Sequence, residues 1–156
     1  DLPPMNGTDM LASMDVFAVL LPAAAFTDYN LQYLATCHML NLILKHGTSG
    51  ASAYGYACFG AVLGPAFKRY AEGYRFAKLA CDLVEKQGYA AYQAKVYFPM
   101  GLVALWAQPV TSAIEFHRTA FRAAVETGDL ATACYSCFHI LAALIIRGDR
   151  LDAVWR

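Results

Sequence analysis

Apolar positions along the chain gather into long stretches of helical spacing, each closed by a short polar tail and a glycine. LILKHG ends at Gly47, LVEKQG at Gly88 and AAVETG at Gly128. Amphipathic helices stop this way because glycine enters the left-handed conformation without steric cost. No Asn-Gly or Asp-Gly turn sits between alternating apolar runs, and Ala, Leu and Met are abundant. Strands are therefore not expected. The punctuation predicts helices over 5–25, 29–46, 51–64, 68–87, 90–107, 110–127 and 130–147, with a stub from 150.

The three glycines lie 41 and 40 residues apart, and a shift of 40 superposes more than glycines. It pairs Ala61 with Gly101, Gly73 with Ala113, Phe76 with Phe116 and Ala80 with Ala120, while Ala153 falls 40 after Ala113. Small residues recur where two helices must cross closely. The spacing of Gly101, Ala113 and Ala120 is that of the small positions in a tetratricopeptide repeat, although the period exceeds that motif's ~34 residues. The expected fold is all-α, a right-handed α-α superhelix of antiparallel helix pairs with a repeat of about 40 residues. Lengthened loops are expected to absorb the excess. Residues 1–156 form a single helical-repeat domain on this pattern, with units at 5–47, 50–88 and 90–128 and an incomplete one at 130–156. The opening DLPPMNGTDM has neither an initiator methionine nor a basic segment. A piece of a longer chain is expected, not a signal peptide.

The apolar share of 58% raises the question of a membrane, since only 15% of residues are charged. The runs Val16–Phe26 and Val96–Ala107 are each shorter than the ~20 residues that span a bilayer, and each contains a proline. A solenoid supplies another reason for the composition, because every unit must bury apolar surface against its neighbours. No membrane partner is expected. Lys plus Arg and Asp plus Glu balance at 12 each, so no nucleic-acid partner is expected either. The odd count of five cysteines, all in apolar or helical surroundings, suits a reducing, cytoplasmic compartment.

One stretch invites a chemical reading, CYSCFH at 134–139. Phe138 stands where haem attachment would need a histidine, and Cys134 lies too deep in its helix for the first-turn dipole to activate it. No second Cys-x-x-Cys or His-x3-His exists to complete a tetrahedral zinc set. Tyr135-Ser136-Cys137-Phe138 also echoes Tyr56-Ala57-Cys58-Phe59, 79 residues earlier. A packing role is expected for Cys134 and Cys137, with slow thiol chemistry. The four histidines show no metalloprotease spacing, and no nucleophile elbow, phosphate loop or dinucleotide fingerprint occurs. No catalytic residue, metal ligand or cofactor is expected.

A groove is what remains. If Ala61, Gly101 and Leu141 mark equivalent crossings, then Lys95, Phe98, Leu102 and Trp106, with Tyr135 and Phe138 beyond, line the concave side. Aromatic side chains on such a face suit a partner or effector. Phe98 and Phe138 also suit the core between layers, where phenylalanine is usually found.

SAYGYACFGAVLG, YAEGYRFAKLACDLVEKQG, KVYFPMG and ETGDLATACYSC together resemble the helical-repeat region of large bacterial signalling proteins. Those proteins join a Ser/Thr-kinase-like domain, a STAND-type AAA ATPase, this region, a GAF domain and a histidine kinase. The resemblance runs from about Phe26 to Gly148. It rests on turns and packing residues, so it implies a scaffold or sensing role and transfers no kinase or ATPase activity. Two functions are carried forward: a non-catalytic scaffold that contacts neighbouring ATPase or kinase domains or another protein, and a solenoid that binds a small effector. Helix 130–147 also presents Ile140, Leu141, Leu144, Ile145 and Ile146 with little polar cover. Self-association through that end is expected.

Overall fold

The computed structural model of the chain describes residues 2–150 and 152. Seven helices follow one another: α1 Thr8–Thr27, α2 Tyr29–His46, α3 Gly50–Phe67, α4 Tyr70–Gln87, α5 Ala90–Ala107, α6 Val110–Thr127 and α7 Leu130–Arg147. There is no strand among the described residues, and the one extended pairing there is a bridge between Pro4 and Thr48. That bridge explains why α1 starts three residues later than its apolar pattern suggested. The amide of Met5 donates to Thr48 O and that of Thr48 to Pro3 O, both at 2.8 Å, holding the N-terminal segment extended.

The turns are short throughout. Lys68–Arg69, Gly88–Tyr89, Gln108–Pro109 and Gly128–Asp129 join helices with two residues each, Asp28 alone joins α1 to α2, and 47–49 lead into α3. The lengthened loops expected from the period are absent. The excess over the tetratricopeptide period lies instead in helices of 18 residues each, roughly a turn longer than a ~34-residue repeat allows. Gly88, Gly128 and Gly148 cap their helices at φ of 68°, 74° and 86°, and Asp129 caps α7 by accepting the Thr132 amide at 3.1 Å. Pro65 does not end α3, which continues to Phe67 and is capped by Lys68 in the left-handed region.

Odd-numbered helices form an inner row, since α1 packs on α3, α3 on α5 and α5 on α7. Each even-numbered helix packs only on its sequence neighbours, and among the described residues no two of them touch. Two rows of unequal packing density make a curved stack with the odd helices on its concave side. Met14, Leu21, Met39, Ile43, Met100 and Ile114 are fully buried between the rows, each contributing about 1.5–3 kcal/mol of gross burial. The end is different. Helix α7 is buried through Ala133, Ser136 and Ala143 only, while Leu141, Ile145 and Ile146 are exposed and Ile140 and Leu144 half-buried. Leu141 makes no crossing of the kind its register suggested, and Ala153 lies outside the described residues.

Within a unit the inner and outer helices come close enough for backbone to touch backbone. A Cβ on Gly60 would lie 2.5 Å from Gly73 O, and one on Gly73 equally near Gly60 O. In the next unit the same positions are Met100 and Ala113, and the close approach moves to Gly101, where a Cβ would lie 2.6 Å from the His117 ring. One unit earlier, the equivalents of Gly101 and His117 are Ala61 and Ala77. Bulk has been exchanged across the crossing, not added. Gly101→Ala should therefore cost about 1–3 kcal/mol by overpacking. Combined with His117→Ala, which recreates the Ala61/Ala77 pair, it should cost less than the sum of the single changes, with a coupling of about 0.5 kcal/mol or more by denaturant titration.

Candidate functional site

The concave side encloses a cavity of about 650 Å³ lined by all four inner helices. Its lining repeats with the period of the chain. Ala91 and Ala131, Lys95 and Tyr135, and Pro99 and His139 are pairs 40 residues apart, and Cys58 and Phe98 continue the row that Ala18 begins. Helix α1 crosses in front of the later units and meets them only through side chains. The Tyr92 hydroxyl on α5 donates to Asp15 on α1 at 2.7 Å, and the rings of Phe26 on α1 and Tyr135 on α7 lie 5.1 Å apart. The first and last helices thus close over the groove and turn an open channel into a half-enclosed cavity.

Behind Tyr135 the rings form a continuous cluster. Phe98 lies 6.0 Å from Tyr135, 5.5 Å from His117 and 5.3 Å from His139, and the two imidazoles stack at 5.1 Å with planes 20° apart. His139 reaches the cavity, while His117 is only 2% exposed and its Nδ1 has no hydrogen-bond partner. Burial and the neighbouring His139 push the His117 pKa down to about 3, and burial lowers that of His139. Pro22, Pro65 and Pro99 all sit inside inner helices. Each lacks the amide that would serve the carbonyl four residues before it, namely those of Ala18, Ala61 and Lys95, three residues of the lining. The cavity therefore offers apolar and aromatic walls, one ammonium and backbone acceptors. That suits holding a small molecule rather than transforming one.

Of the residues the sequence placed on the groove, Lys95, Phe98, Leu102 and Tyr135 line the cavity. Trp106 does not. It stands in an adjoining hollow with Tyr70, whose ring is 6.2 Å away, and shares only Leu102 with the cavity. Phe138 is 67% exposed on the outer side of α7, neither groove nor core. Phe26, Pro22, Thr132, Asp129 and His139 belong to the lining as well. The register of the repeat could have found His139, as it stands 40 after Pro99.

The expectation that Cys134 and Cys137 are packed is wrong: both are exposed. Helices α3 and α7 start 80 residues apart, so the echo at 79 is out of register by one residue, a rotation of about 100° on a helix. No three His, Cys, Asp or Glu side chains converge among the described residues. By length and composition α1 and α7 could each cross a membrane, a test that core helices of soluble proteins also pass; the run-length reading had not picked out α7. Compared with protein-family models, curated proteins and solved structures, the chain matches none. Its likeness to the repeat region of signalling kinases thus rests on the turns and packing residues quoted above.

Two measurements follow. Burial pushes the Cys58 and Cys81 thiols up to about 12, so a thiol reagent at neutral pH should modify Cys37, Cys134 and Cys137 in the folded protein and reach Cys58 and Cys81 only after unfolding. For His117 the folded pKa of about 3 is below its ordinary 6.5, so the unfolded chain binds the proton first. Stability should be intact above pH 6.5 and fall as pH drops, by up to about 1.4 kcal/mol per unit. His117→Phe should flatten that slope between pH 6.5 and about 5 in denaturant titrations.

Proposed function

We propose that the chain is a non-catalytic helical-repeat sensor segment whose concave cavity binds a small, largely apolar effector. The observation that carries this is the enclosure: about 650 Å³, within the range of small-molecule sites, closed over by Phe26 against Tyr135 and lined from four helices. A scaffold for protein surfaces, which the sequence put first, would present an open groove. Because the cavity joins the first helix to the last, an occupant that touches both biases the curvature of the whole stack. In a bacterial signalling protein with ATPase and kinase domains, that curvature is what neighbouring domains would read. Five free thiols support a cytoplasmic setting.

The scaffold reading keeps one observation of its own, the outer face of α7 with exposed Phe138, Leu141, Ile145 and Ile146. Such a patch suits a neighbouring domain or a second copy of the chain. A fluorescence titration with Nile red separates the two. We expect saturable binding of one dye per chain, with a blue-shifted emission, lost in Leu102→Glu while the far-ultraviolet circular dichroism stays helical. Dye binding that survives Leu102→Glu but disappears in Ile145→Lys would move the function to the α7 face.

A further inference from the structure

We propose that the ligand of this cavity carries an anionic head group on an apolar body, and that Lys95 recognises the head. The inference rests on the effector reading above and names its chemistry. Two lining residues are charged, Lys95 and Asp129. Asp129 is committed: Oδ1 accepts the Thr132 amide at 3.1 Å and Oδ2 accepts the Thr132 hydroxyl at 2.8 Å, so its carboxylate is spent on capping α7. Lys95 is not. It is half-buried, and no carboxylate lies within ion-pair reach of it among the described residues. Its Nζ lies 5.9 Å from the centre of the Tyr92 ring, and the Tyr92 hydroxyl already donates to Asp15.

A partly desolvated ammonium beside an apolar cavity is costly without a counter-charge. A carboxylate would supply it through short, charge-assisted hydrogen bonds, and a compact, three-donor ammonium suits one small anionic head better than a planar guanidinium would. His139, the other titratable nitrogen on the lining, is held neutral by burial and does not compete. The rest of the wall, Val19, Pro22, Phe26, Phe98, Leu102 and Tyr135, is apolar or aromatic and takes the body.

The test uses three chains that differ only in the head: dodecanoate, dodecanol and dodecylammonium, each below its micellar concentration, displacing bound Nile red at pH 7.5. Dodecanoate should compete about ten-fold or more better than dodecanol, with dodecylammonium weakest. Lys95→Gln should bring dodecanoate down to the level of dodecanol without moving dodecanol itself, and Lys95→Arg should keep most of the preference. Equal competition by acid and alcohol on the unaltered chain, or a preference that survives Lys95→Gln, overturns the proposal while leaving the cavity as an effector site. Dodecylammonium as the best competitor assigns the head to Asp129 and also overturns it. If the dye itself never binds, the effector reading falls, and this inference with it.

Discussion

How closely an inner helix can approach its outer partner governs this fold. At Gly60 and Gly73 the two backbones touch, and at Gly101 a helix backbone rests on the His117 ring. Close crossings let short side chains fill the space between rows, which is why alanine dominates the buried positions from Ala51 to Ala143. They also leave the larger side chains of the inner helices free to point the other way. Removing the small residues would push the rows apart and strand both faces.

The same asymmetry produces the cavity. Inner helices pack on one another and outer helices do not, so curvature brings α1 round until its side chains reach α5 and α7. Closure is made by tips, Phe26 to Tyr135 and Tyr92 to Asp15, rather than by packed helix faces. Contacts of that kind are few and readily exchanged, whereas the crossings behind them are fixed by close packing. A rigid spine with a light clasp is a plausible architecture for a site that must admit and release an occupant. Interior prolines confined to α1, α3 and α5 bring their strain to the row that forms this wall, consistent with the habit of functional sites to break local rules.

Much of this was legible in the sequence, and for identifiable reasons. Helices α4 and α6 alternate polar and apolar faces and end at Gly88 and Gly128, so their limits could be read almost to the residue. Helix α3 is apolar on every side and holds Pro65; nothing local says that it continues to Phe67, because the packing of its neighbours overrides the proline. Four of the five groove residues follow from placing the inner row on the concave side, and Trp106 escapes because the end of α5 turns towards α3. The stacking of His117 on His139 joins residues 22 apart on different helices, which no motif encodes. The exposure of Cys134 and Cys137 was missed because a sequence echo was taken for structural equivalence when it was one residue out of phase.

Eighteen residues at 3.6 per turn make five whole turns, and five of the seven helices after α1 and before Gly148 share that length with the sixth, α2. Each helix consequently finishes at the azimuth where it began, and a two-residue turn delivers the next one in the same orientation. The chain is thereby commensurate with its own geometry. Adding or removing a 40-residue block between Gly88 and Gly128 preserves the phase of everything downstream, while a single residue inserted within a helix rotates every later side chain by about 100°. The region between α1 and α3 obeys the same arithmetic by compensation, with one connecting residue at Asp28 and three at 47–49 in place of two and two. Variation in length among chains of this kind should accordingly come in whole units.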